Sequence, residues 1–124
     1  GCAQLSKIDQ ILKLKKGIGE FYRSELCDVG TFQKTEKNSQ SSFWMTALLF
    51  KDEKLKSNIE SHLKKNNIET RPLFFPIDEL PFYQKSKSCQ IAKMLNKKGL
   101  ILPSYPGLSQ NQLELIVKTI RNNV

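Results

Sequence analysis

The stretch "NIETRPLFFPIDELPFY", residues 67–83, decides how this chain is read. Pro72, Pro76 and Pro81 exclude a regular helix or a central strand here, because each removes a backbone donor and fixes φ. They also lower the entropy cost of holding one loop shape. Phe74, Phe75, Phe82 and Tyr83 supply flat apolar surface, and Arg71 supplies a rigid guanidinium fork suited to a phosphate or carboxylate. Asp78 and Glu79 are adjacent, so in extended backbone they point in different directions and do not form an acid–base pair. The segment reads either as one wall of a ligand pocket or as a loop whose aromatics pack on the core while Arg71 is solvated. Residue types leave both open.

On the N-terminal side, Asp52 is a plausible N-cap for a helix over 53–66, with Leu55, Ile59 and Leu63 at i, i+4 and i+8. His62 lies beside that stripe as a partly exposed helix residue. The helix should stop at Asn66–Asn67, and residues 68–71 can form a short edge strand. Upstream, "FWMTALLF", residues 43–50, fits a strand buried on both faces. The polar run 30–42 reads as a loop. Residues 3–26 read as one helix, with Leu5, Ile8, Ile11, Leu12, Ile18, Phe21, Tyr22 and Leu26 near a 3.6-residue stripe. Gly17 and Gly19 weaken it by about 1 kcal/mol each relative to Ala, which close packing would explain. The chain opens "GCAQLSKIDQIL", without Met and without a helix-start signal, and reads as beginning inside a helix.

On the C-terminal side, residues 88–98 form a helix carrying Ile91, Ala92, Met94 and Leu95, stopped by Gly99. "LILP", residues 100–103, is a brief strand. Ser109 and Gln112 make a capping box, and Leu108 with Leu113 is placed for a hydrophobic staple. Leu113, Ile116, Val117 and Ile120 then give helical spacing. The order helix, strand, helix, strand, helix, strand, helix predicts an α/β fold, a small sheet covered by helices.

The 124 residues bound one domain. Twenty basic against 12 acidic residues leave a net charge of +8. That surplus suits nucleic acid, an anionic membrane surface, a phosphorylated ligand, or only a soluble surface. No basic run exceeds two residues, and no recognition helix or RNP-like motif stands out. A small basic nucleic-acid-binding module and a free-standing association domain remain the alternative classes, with nucleic acid the weaker partner. Cys2, Cys27 and Cys89 are widely spaced, without a CxxC, and His62 is the only histidine. No zinc site is expected, and buried, reduced thiols in a cytoplasmic protein are. No signal-peptide pattern or membrane-length apolar run is present. Dinucleotide, Walker and nucleophile-elbow motifs are absent, so no complete catalytic centre is legible.

The segment 67–83 resembles the Arg-, Pro- and Tyr-bearing segment of DegT/DnrJ/StrS-type aminotransferases. "AQLSKIDQILKLKKGIGEFYRSEL" is similar to the helix joining the large and small domains of that family, and "CQIAKMLNKKGLILPSYPGLSQNQLELIVKTI" to its closing pattern. The three matches stand in order and cover nearly the whole chain. The resemblance implies the C-terminal small domain of a fold-type I pyridoxal-phosphate (PLP) enzyme that aminates a nucleotide-linked keto-sugar. Residues 1–26 would be part of the inter-domain helix. It implies a homodimer, and a large domain elsewhere that carries the Schiff-base lysine and phosphate cup, so these residues alone should bind no PLP and have no activity. The pattern is similar to perosamine-synthase-like members, which act on a GDP-linked 4-keto-6-deoxy sugar. Where the family commonly has Pro-Leu-His, this chain has Pro76-Ile77-Asp78. Arg71, Phe74, Phe75, Asp78 and Tyr83 are the candidate substrate-binding residues; no catalytic, cofactor-binding or metal-binding residue is expected.

Overall fold

In a computed structural model describing residues 1–83 and 89–124, the chain forms a four-stranded antiparallel sheet with helices packed on one face. The helices are α1 (Cys2–Leu5), α2 (Ile8–Leu26), α3 (Glu53–Lys65), α4 (Gln90–Lys98) and α5 (Gln110–Arg121). The strands are β1 (Thr31–Phe32), β2 (Thr46–Leu49), β3 (Arg71–Pro72) and β4 (Gly99–Leu102), in the order β1-β2-β4-β3. The expected order of elements holds, with three corrections.

The helix expected over 3–26 is broken at Ser6–Lys7. Ser6 Oγ donates to the Ala3 carbonyl at 3.1 Å, a local bond that competes with the helical ladder, and Lys7 leaves the helical region with φ −119° and ψ 12°. Within the run expected to be a loop, Thr31 and Phe32 pair with Leu49 and Leu48. A two-residue strand has too little pattern to register in a sequence. The edge strand expected at 68–71 is shifted to Arg71–Pro72, opposite Ile101 and Leu100. Pro72 is tolerated there because β3 lies at the sheet edge.

Pairing fixes which residues share a face. Thr46 opposes Leu102 and Leu48 opposes Leu100. These four are buried under Ile18, Tyr22 and Leu26 of α2, Ile59 and Leu63 of α3, and Leu113, Ile116, Val117 and Ile120 of α5. Fully burying one such aliphatic side chain stabilises by about 1.5–3 kcal/mol. The opposite face carries Ala47, Leu49, Ile101 and Arg71. Its three aliphatic residues are only half-buried. β2 is therefore buried on one face and part-covered on the other, not buried on both.

The helix ends follow local chemistry. Asp52 accepts from the Leu55 N–H at 2.9 Å. α3 ends with Asn67 at φ 57°, and the N–H groups of Ile68 and Asn67 reach the Leu63 and Lys64 carbonyls at 2.9 and 3.0 Å. This is a Schellman stop, with Asn in the left-handed position. The Ser109–Gln112 capping box forms as expected. Gly19 is where α2 meets Phe43: a Cβ there would lie 2.0 Å from the ring Cδ1. Gly17 faces open space, so close packing explains one glycine of the pair only. Leu5, Ile8 and Leu12 are exposed whereas Ile18 is buried.

Candidate functional site

After β3 the Pro- and aromatic-rich segment runs along the open side of the sheet. Leu73 lies over Gly99, where a Cβ would sit 1.9 Å from Leu73 Cδ1. Gly99 is extended, with φ −97°, so its small size serves this close approach and not a left-handed helix stop. Asn96 Nδ2 donates to the carbonyls of Leu73 and Phe74. The Phe74 ring stacks on Trp44 at 6.4 Å between centroids and 23° between planes, and both rings are exposed. The position of Trp44 is set in turn by α2, because Lys15 Nζ donates to the Trp44 and Ser104 carbonyls, both at 2.8 Å. Burial lowers the Lys15 pKa. Tyr22 donates its hydroxyl to the Pro103 carbonyl at 2.9 Å, and burial, followed by Tyr105, raises its pKa.

The five candidate residues do not share one environment. Arg71 is exposed and its guanidinium pairs with Glu69 at 3.9 Å, an ion pair that contributes little. It lines the rim of a groove of about 550 Å³ between residues 66–71, the loop after β4, and α5. Phe74, Phe75 and Tyr83 are exposed on the segment itself and do not line that groove. Asp78 is 8% exposed, within a short 3₁₀ turn, Ile77–Glu79. Its Oδ2 accepts from Lys93 Nζ at 2.9 Å and from the Cys89 N–H at 3.2 Å. The Lys93 hydrogen bond leads in lowering the Asp78 pKa, against the opposing effect of desolvation. Glu79 adds a second contact to Lys93 at 3.4 Å.

Sequence reasoning missed Trp44, Lys15, Lys93 and Asn96 as parts of this arrangement. Trp44 and Lys15 lie far from it in the chain. Lys93 and Asn96 do leave a signal, polar residues three apart on a helix whose apolar positions predict the opposite face as buried. Ile91, Met94 and Leu95 are in fact exposed, and α4 has no buried residue. The thiols also depart from expectation: Cys2 and Cys27 are exposed and Cys89 is half-buried, all free. Among the described residues no His/Cys/Asp/Glu cluster could hold a metal ion, and no helix is long and apolar enough to cross a membrane.

The fold is that of one part of an aminotransferase. The aminotransferase TlmJ of Streptoalloteichus hindustanus superposes with a TM-score of 0.89 at 19% identity, over 99% of this chain and 34% of that one. The chain belongs to the DegT/DnrJ/EryC1/StrS aminotransferase family, whose model matches residues 1–121. A GDP-perosamine synthase of Vibrio cholerae is 34% identical over 98% of this chain and 35% of its own length. Another, of Escherichia coli O157:H7, is 31% identical over 97% of this chain and 33% of its own length. The chain thus spans about a third of the length of the curated relatives it matches.

Proposed function

We propose that these residues are the C-terminal small domain, with part of the inter-domain helix at 1–26, of a PLP-dependent aminotransferase acting on a nucleotide-linked keto-sugar. The product class is an amino sugar for surface polysaccharide such as O-antigen, made in the cytoplasm by a homodimer. The observation that carries this reading is the family match over residues 1–121, joined to identity above 30% with GDP-perosamine synthases over nearly the whole chain. A GDP-linked 4-keto-6-deoxy sugar is the substrate this favours.

PLP supplies the electron sink for amino transfer when bound. On this reading the residues that hold it lie in the large domain. Lys15 commits its ammonium group to two backbone carbonyls, Lys56 to Glu60 at 2.6 Å, and Lys93 to Asp78. The reading assigns no step of amino transfer to these three lysines. Its own residues bind and enclose. Arg71, on the open face at the groove rim, would contact an anionic group of the nucleotide-sugar, while Phe74, Phe75 and Tyr83 would exclude water and Asp78 would hold their segment on the substrate side. The test is steady-state kinetics in a hybrid in which residues 1–124 replace the matching third of the Vibrio cholerae relative. Losing a charge-assisted hydrogen bond at Arg71→Ala costs about 1.5–3 kcal/mol, or roughly tenfold to a hundredfold in binding. Arg71→Lys restores it only in part, because an ammonium lacks the planar fork. Unchanged kinetics at unchanged stability would remove Arg71 from the site.

A further inference from the structure

α4 has its polarity reversed relative to a core helix. Ile91, Met94 and Leu95 face outward, while Lys93 and Asn96 are half-buried and turned to the aromatic segment. Lys93 and Asn96 are three apart, so they follow one another on one face of the helix, and Cys89 stands at its N-cap. Between them they hold two parts of the segment. The Cys89 N–H and Lys93 Nζ take the Asp78 carboxylate. Asn96 takes the carbonyls of Leu73 and Phe74. At the end of the helix, Gly99 leaves room for Leu73.

We propose that the polar face of α4 is a cradle that sets the position of the aromatic segment, with Asp78 and Lys93 as positioning residues and the Phe74–Trp44 stack as the surface it presents. Pro76 and Asp78 are the only buried residues between Arg71 and Tyr83, so apolar burial alone does not locate this segment. An ion pair buried on its Asp78 side contributes little net stability but demands specific geometry. Its consequence here is placement. Asp78 is therefore assigned to holding the segment, through an Oδ2 committed to Lys93 and the Cys89 N–H. What the stack faces in an intact enzyme rests on the proposed function; the cradle does not.

Trp44 is the sole tryptophan, so its emission and acrylamide quenching report the stack directly on the 124-residue chain. Phe74→Ala defines the unstacked signal. Lys93→Met and Asp78→Ala should move Trp44 quenching to that signal, and Lys93→Arg should keep the wild-type value. In parallel, hydrogen exchange is followed at the Glu79, Leu80 and Tyr83 amides, which donate to the Pro76, Ile77 and Leu80 carbonyls. Their protection should be lost in Lys93→Met and Asp78→Ala while core amides stay protected. Wild-type quenching together with wild-type amide protection in Lys93→Met overturns the proposal, and so does a Phe74→Ala chain whose Trp44 signal equals wild type. Failure of the sugar aminotransferase reading would leave these readouts unchanged, so the two failures are separable.

Discussion

Gly17 and Gly19 sit two residues apart in α2 and should respond to alanine in opposite ways. Alanine in a helix interior gains about 0.8–1.0 kcal/mol over glycine from propensity. At Gly17 a Cβ meets nothing within 4 Å, so Gly17→Ala should be stabilising by about that amount. At Gly19 the same Cβ would lie 2.0, 2.4 and 2.8 Å from Cδ1, Cε1 and Cγ of Phe43. The ring cannot simply swing away. Phe43 has φ 49°, and the Arg23 guanidinium lies over its ring, 4.9 Å from the centroid. Overpacking of this kind costs about 1–3 kcal/mol. Propensity cancels between the two variants, so their difference isolates the packing cost, about 1–3 kcal/mol in favour of Gly17→Ala. For a chain of this size that is about 4 °C in Tm per kcal/mol. Urea unfolding followed by circular dichroism gives both values. Phe43→Ala in the Gly19→Ala background should recover the propensity gain relative to Phe43→Ala alone. Equal stabilisation by the two alanines would refute the close approach of α2 to Phe43.

Other consequences follow from the same packing and electrostatics. Leu100→Ala, at a fully buried site, should lose about 2–5 kcal/mol by chemical denaturation, whereas Ile91→Ala, exposed on α4, should stay within about 0.5 kcal/mol. Ser109→Ala removes the α5 capping box and should cost about 1 kcal/mol. Because Asp78 has a lowered folded-state pKa, the unfolded chain takes up that proton at higher pH, and stability rises with pH across the interval between the two values. The Asp78 contribution is complete above about pH 4 and is lost as pH falls through the lowered value; Asp78→Asn should flatten the stability profile there. Leu5, Ile8, Leu12 and Leu14 leave apolar surface uncovered, which drives association, so Leu5→Lys with Leu12→Lys should raise the monomer fraction in analytical ultracentrifugation.

Most of the framework was legible because it is local. Asp52, Asn67 and the Ser109–Gln112 pair act on backbone within a few residues, and the periodic apolar positions of α3 and α5 mark their buried faces. The break at Ser6–Lys7 was not legible, because one serine back-bond decides it against a continuing apolar stripe. β1 was missed because its two residues are specified by the partner strand. At the candidate site the residue types of 71–83 were informative, but their organisation came from Trp44, Lys15, Lys93 and Asn96, whose contacts span 14 to 89 positions. Long-range geometry of that kind leaves no periodicity. Asp78 shows the consequence: its residue type suits a substrate contact, while its surroundings bind it to α4.

The most direct test of the functional account is amino transfer by the hybrid carrying residues 1–124 in place of the matching third of the Vibrio cholerae GDP-perosamine synthase, with a GDP-linked 4-keto-6-deoxy sugar as acceptor and glutamate as donor. The relative lacking that third serves as the blank. The account predicts a PLP-loaded hybrid that turns over above the blank and loses affinity for the nucleotide-sugar on Arg71→Ala. A folded, PLP-loaded hybrid with no turnover above the blank would contradict it.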